Sequence, residues 1–205
     1  MATGAGPTEG FEAVVLAAGA GSRFGGGKLL APYMAGVLLD GALAAAFAAP
    51  TRSVTVVTGA EEEAVAHAAI RLADRFGQHD RLRMVHAADY AQGMAHSLRM
   101  GIASLPAETL GAFVFLGDMP RVPRDILQPM AEALQAGALA AAPVFQGRRG
   151  NPVLLAAELF PQVLALTGDA GARSVLEGLG DRLALVESPD DGVLFDVDRA
   201  EDLPG

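Results

Sequence analysis

The chain contains no cysteine. Disulfides, thiolate metal sites and a cysteine nucleophile are therefore excluded, and the composition suits a cytoplasmic protein. Although 51% of its residues are hydrophobic, no run approaches the roughly 18 uninterrupted apolar residues of a membrane span, so the chain reads as soluble and without a membrane partner. Positive charge is scarce: 15 Lys and Arg stand against 24 Asp and Glu, for a formal net charge of -9. Nonspecific nucleic-acid binding needs a Lys/Arg surplus and is argued against. Any anionic ligand must instead be met by a local basic pocket. The histidines, His67, His79, His86 and His96, have no metal-ligand spacing, and no serine occupies a Gly-x-Ser-x-Gly nucleophile elbow. Residues 1–10 carry neither a basic region nor an apolar run and read as a disordered lead-in rather than a signal peptide. Repeats, heptads and low-complexity linkers are missing too, so residues 11–205 are expected to form one domain.

What the chain does have is a β-branched, apolar run at Val14–Leu16 that breaks into Gly19, Gly21, Gly25, Gly26 and Gly27, interleaved with Arg23 and ending at Lys28. Glycines let backbone N–H groups approach an anion, and the two cations supply the charge a polyphosphate needs. Two familiar phosphate loops do not fit. The dinucleotide fingerprint would need glycine where Phe24 stands, and Pro32 interrupts its helix. The P-loop would need glycine at Ser22 and a Ser or Thr at Leu29. The remaining pattern is a strand, a long glycine loop closed by lysine, and a helix over about Leu38–Ala48; a flexible surface loop is the plain alternative.

Strand-like and helical stretches then alternate, the mark of a mostly parallel sheet with helices on both faces, a three-layer α/β/α fold. Strands are expected at Ser53–Thr58, Arg81–Ala87, Ala112–Leu116, Ala138–Phe145, Leu183–Glu187 and Val193–Val197, and helices over about Glu61–Phe76 and Pro123–Gln135. Asp118 follows a buried strand at its C-terminal end, where open α/β sheets place ligands. A hard, oxygen-seeking ion such as Mg²⁺ would suit it, while capping of the helix near Pro123 is the structural alternative. Gly93 to Gly101 reads as an amphipathic helix start, with Met94, Leu98 and Ile102 on one face. Arg148 and Arg149, flanked by glycines, make a second cationic spot or a solvated hairpin turn. Asp169 is expected to cap a helix near Ala170, and Arg173 to meet that acid or a phosphate. Of Asp196 and Asp198, at the end of the Val193–Val197 strand, only one is expected to reach a site.

The loop Leu16-Ala17-Ala18-Gly19-x-Gly21-Ser22-Arg23-Phe24-Gly25-x-x-Lys28 resembles the signature of the nucleotidyltransferases that include molybdenum cofactor cytidylyltransferases and their guanylyl counterparts. Gly117-Asp118-Met119-Pro120, Arg149-Gly150-Asn151-Pro152, Gly168-Asp169-x-Gly171-Ala172-Arg173 and Asp196-x-Asp198 match further motifs of that family, in its order, over about Phe11 to Leu203. The resemblance implies a Rossmann-like, nucleotide-diphospho-sugar transferase fold. It also implies transfer of CMP from CTP to the terminal phosphate of molybdopterin, with Mg²⁺ as cofactor and a molybdenum hydroxylase or its chaperone as partner. Carried over residue by residue, Leu16, Ala17, Ala18, Gly19, Gly21, Arg23, Lys28, Gly93 and Ser97 would contact the nucleotide. Arg23, Lys28 and Asp118 would be catalytic, and Arg149, Gly150, Asn151 and Arg173 would bind the acceptor. Asp118 and Asp196 would hold the metal, leaving Asp198 to cap a final turn. Asn151 departs from the family histidine and cannot carry a proton at neutral pH. Leu-Ala-Ala-Gly goes with CTP in the family, and a methyl at Ala18 would narrow the pocket against a purine. GTP, a sugar or polyol phosphate acceptor, and a non-catalytic cofactor carrier are the alternatives.

Overall fold

The run Phe11–Ala17 forms the central strand β1, because its side chains find apolar cover on both faces. Ala13 and Val15 enter one core and Val14 the other, all fully buried, as the alternation of a pleated strand requires. The computed structural model describes residues 10–203. The expected lead-in therefore lies outside the described residues apart from Gly10, whose carbonyl accepts from the Leu110 N–H at 2.7 Å.

A small hairpin follows β1, made of β2 (Pro32–Tyr33) and β3 (Gly36–Val37), then α1 (Leu38–Ala48), β4 (Val54–Thr58), α2 (Glu62–Arg75) and β5 (Leu82–His86). Next come α3 (Met94–Ala103), β6 (Gly111–Leu116), α4 (Leu127–Gln135), β7 (Ala140–Phe145), β8 (Arg148–Arg149) and β9 (Val153–Ala156). The short helices α5 (Phe160–Leu164) and α6 (Ala172–Val175) precede β10 (Leu183–Glu187). The main sheet runs β10-β7-β9-β6-β1-β4-β5, with β8 paired to β7. It is parallel except for β9, antiparallel to β6 and β7, and for β8, antiparallel to β7.

Helices α1, α2 and α4 pack on one face and α3, α5 and α6 on the other, so the three-layer α/β/α architecture is as expected. In β6, Phe113 and Phe115 stack with centroids 6.0 Å apart toward the first group, while Ala112 and Val114 face the second. Each such buried large side chain contributes about 1.5–3 kcal/mol, which makes β1 and β6 the rigid floor of the molecule. No helix among the described residues is long and apolar enough to cross a membrane.

The sheet gains a strand where none was expected, at β9, and loses the one expected at Val193–Val197. There the Asp190 carboxylate accepts from the Gly192 N–H at 2.8 Å and starts a 3-10 turn over Asp191–Leu194. Gly192 itself is pressed on the Arg121 carbonyl. The chain is thereby turned across the end of the sheet, and its backbone bonds go to loops. The Asn151 N–H donates to the Val193 carbonyl at 2.9 Å, and the Val197 N–H to the Asp118 carbonyl at 3.1 Å.

Candidate active site

The chain lays β4 and β5 on one side of β1 and then returns to place β6 on the other. The crevice at the carboxyl ends of β1 and β6 is therefore a topological switch point, where such sheets bind ligands. The β1 loop is held in shape by backbone bonds from Phe24 and Gly26 to the Gly21 carbonyl, at 2.9 and 3.1 Å. The Gly27 N–H donates to Glu61 Oε1 at 2.9 Å. Gly21, Gly25, Gly26 and Gly27 have φ of 59, 96, 95 and 65°, the left-handed region that other residues adopt only under strain.

This loop carries Lys28 across to the β6 loop. Lys28 Nζ lies 2.6 Å from Asp118 Oδ2, with only 15% and 24% of the two side chains exposed. Asp198 completes the group, 4.0 Å from Lys28 Nζ and 3.6 Å from Arg23 Nη1. Asp118 caps nothing: Pro123 precedes the turn Arg124–Ile126 and no side chain caps it. Asp198 is likewise free of the capping role expected for it. Arg199 is the N-cap of the last turn, and Asp202 Oδ2 accepts from the Asp198 and Arg199 N–H groups at 3.0 and 2.7 Å.

Asp196 and Asp198 both reach the site, where only one was expected: Asp198 lines the crevice beside Lys28 and Asp118, and Asp196 lines its adjoining part. Partial removal from water, then the charges of Asp118 and Asp198, push the Asp196 carboxyl above the usual carboxylate range, against the pull of Lys28. The segment is braced by Arg121, whose guanidinium lies 3.8 Å from the Phe195 ring centroid and whose Nε donates to the Tyr33 hydroxyl at 2.9 Å. Among the described residues no three His, Cys, Asp or Glu side chains form a ready-made metal centre. The donor set nonetheless fits a hard divalent ion. It offers carboxylate oxygens with surplus negative charge, and such ions commonly take their remaining ligands from water and substrate phosphates.

Two cavities meet here. The first, about 440 Å³, is lined by Leu16, Ala18, Gly19, Gly21, Arg23, Lys28, Gly93 and Ser97, together with Asp118. The second, about 610 Å³, is lined by Arg149, Asn151, Arg173 and Asp196, among others. Two residues expected as contacts line neither cavity. Ala17 is 2% exposed and belongs to the core beneath α1. Gly150 is packed against the Val193 carbonyl, so its missing side chain serves the loop. Asp169 does not cap α6, whose N-cap is Gly171 without a side-chain bond; it lines both cavities instead. Arg173 donates to the Arg149 carbonyl at 3.2 Å rather than to Asp169. Tyr90 in the first cavity, Arg148 and Met119 in the second, and Met94 in both were not among the expected contacts. Of these Arg148 carried a signal in its place in the glycine-flanked arginine pair, and Met119 in the motif Gly117-Asp118-Met119-Pro120.

A model of the MobA-like NTP transferase domain matches residues 13–184. The chain belongs to this family. The transferase, a nucleotidyltransferase enzyme, is 28% identical to the molybdenum cofactor cytidylyltransferase of Escherichia coli K12, over 93% of its own length and 92% of that protein's. It is 29% identical to the nicotine blue oxidoreductase of Paenarthrobacter nicotinovorans, over 93% of each chain. That second name denotes different chemistry, so similarity at this level leaves the substrate open. The crystal structure of Rv0371c from Mycobacterium tuberculosis H37Rv is 25% identical, covers 96% of each chain and superposes with a TM-score of 0.80. A structure of that protein in complex with manganese, also 25% identical, gives a TM-score of 0.74 over 94% of this chain and 95% of that one.

Proposed function

We propose that this transferase moves CMP from CTP to the terminal phosphate of a molybdopterin-type cofactor in the cytoplasm, with Mg²⁺ held by Asp118 and Asp196. The observation that carries this reading is the 2.6 Å meeting of Lys28 and Asp118 at the first cavity, with Asp196 lining the second, which adjoins it. The 28% identity to the Escherichia coli cytidylyltransferase supports the same choice of substrates.

In this reading an oxygen of the acceptor phosphate forms a bond to the α-phosphorus while the bond from that phosphorus to the bridging oxygen breaks, and pyrophosphate leaves. No side-chain nucleophile takes part. Arg23, Lys28 and the N–H groups of the glycine loop hold the β- and γ-phosphates and stabilise the charge that builds on the leaving group. Mg²⁺, when bound, adds charge neutralisation and orients the phosphates. Arg149 and Arg173, joined by Arg148, draw the acceptor phosphate into the second cavity. None of these three has a carboxylate partner among the described residues. Asn151 contributes a neutral hydrogen bond there. Ala18 lines the first cavity and is backed by Gly59, which supports a narrow wall suited to a pyrimidine. The product would pass to a molybdenum hydroxylase or its chaperone.

Pyrophosphate release tests this directly, with CTP or GTP offered alongside molybdopterin, a sugar phosphate or a polyol phosphate. Release only from CTP with molybdopterin is expected. Release with a sugar or polyol phosphate, or with GTP in preference to CTP, would overturn the substrate assignment.

A further inference from the structure

The two cavities share four lining residues, Leu16, Met94, Leu116 and Asp169, of which only Asp169 is ionisable. The other charged groups are Arg23, Lys28, Asp118 and Asp198 in the first cavity and Arg148, Arg149, Arg173 and Asp196 in the second. Asp169 takes no cation as partner among the described residues. An unpaired carboxylate in this place repels phosphate, so the portion of substrate it faces must be neutral and rich in donors.

Packing fixes where that portion lies. Gly93 has φ of +117°, and a Cβ there would overlap the Gly168 carbonyl and stand 2.8 Å from Asp169 Oδ1. The Ala95 N–H donates to the Gly168 carbonyl at 3.0 Å. The Gly168–Asp169 turn is thus laid across the start of α3, and its carboxylate is carried to the end of the first cavity formed by Gly93, Met94 and Ser97. With a triphosphate at Lys28 and the glycine loop, the nucleoside occupies this end. The part of a nucleoside that joins the α-phosphorus, and so borders the acceptor cavity, is the ribose. Its two adjacent hydroxyls are neutral donors that match the two oxygens of a carboxylate.

We infer that Asp169 accepts hydrogen bonds from the ribose hydroxyls of the nucleoside triphosphate and selects ribonucleotides over deoxyribonucleotides. The inference rests on the nucleotidyl-transfer reading above and adds a specificity determinant to it. A site built to bond a hydroxyl discriminates against the analogue that lacks it, because the site's polar group is left unpaired. One hydrogen bond to a charged group corresponds to a discrimination of about 10- to 100-fold.

The test is equilibrium binding of CTP, GTP, 2′-deoxyCTP and 3′-deoxyCTP, with Mg²⁺, to the wild-type protein and to Asp169→Ala and Asp169→Asn. Because each protein is compared with itself across nucleotides, loss of folded material does not alter the ratio. The wild type is expected to bind CTP at least about tenfold more tightly than either deoxy analogue. Asp169→Ala should bring all three within about twofold, through weaker CTP binding, and Asp169→Asn should fall between. Unchanged discrimination in Asp169→Ala, or equal binding of ribo- and deoxyribonucleotides by the wild type, overturns the inference while leaving nucleotidyl transfer standing. Failure of the wild type to bind either CTP or GTP overturns both.

Discussion

Lys28 and Arg23 sit in the same loop and bear the same charge, yet their environments give them unequal weight. The Lys28 side chain is 15% exposed and the Arg23 side chain 79% exposed. A charge-assisted contact in a largely desolvated place is worth more than one in water, where salt screens it. Lys28→Ala is therefore expected to weaken triphosphate binding about tenfold or more, and Arg23→Ala to weaken it less and mainly at low salt. Calorimetric titration at two ionic strengths checks both. Asp196 gives a second prediction. Its carboxyl is raised in the folded protein by desolvation and by Asp118 and Asp198, so its ionisation disfavours the fold. That stability deficit is absent at acid pH and develops as pH rises from the ordinary carboxylate range through the raised value. Asp196→Asn should accordingly increase the melting temperature of chelator-treated protein at neutral pH, with the gain vanishing in acid.

At the scale of elements, the decisive piece is the segment from Asp191 to Asp198, which crosses the end of the sheet and delivers two carboxylates. Arg121 ties it to the β2–β3 hairpin through Phe195 and Tyr33. A cation–π contact at an exposed place is worth about 0.5–1 kcal/mol. Arg121→Ala should therefore raise the Mg²⁺ concentration for half-maximal activity by about two- to fivefold, with little change at saturating metal. This segment also marks where reading the sequence stopped working. Val193 and Val197 are buried, and Val193, Phe195 and Val197 are apolar at every second position, which reads as a strand. Yet the Asp190–Gly192 turn and the close seat of Gly192 on Arg121 redirect the chain, and neither is visible without the partner loop. Strand β9 was missed for a related reason. It is four residues long and begins just past a proline, so its apolar run looked like the tail of a motif. Longer buried strands such as β1 and β6 were legible because an uninterrupted apolar run has few other ways to be buried.

For the whole molecule, the order of strands matters more than any one of them. Placing β1 between β4 and β6 opens the crevice into which the glycine loop and Asp118 both project, and the mostly parallel sheet, though not its strand order, followed from the alternation of strands and helices. Which aspartates meet Lys28 did not, since that depends on how loops from opposite ends of the sequence fold over the same strand ends. The core beneath is stabilised separately from the site. Leu98, fully buried on the α3 side, should cost about 2–5 kcal/mol of unfolding free energy when replaced by alanine, measured by urea denaturation. The central claim is that Asp118 and Asp196 together hold a divalent ion opposite the glycine loop, and metal-dependent pyrophosphate release from CTP with molybdopterin tests it most directly. The account predicts release that requires Mg²⁺ or Mn²⁺ and falls about 100-fold or more in Asp118→Asn and substantially in Asp196→Asn. Release at the wild-type rate by Asp118→Asn, or by the wild type in excess chelator, would contradict it.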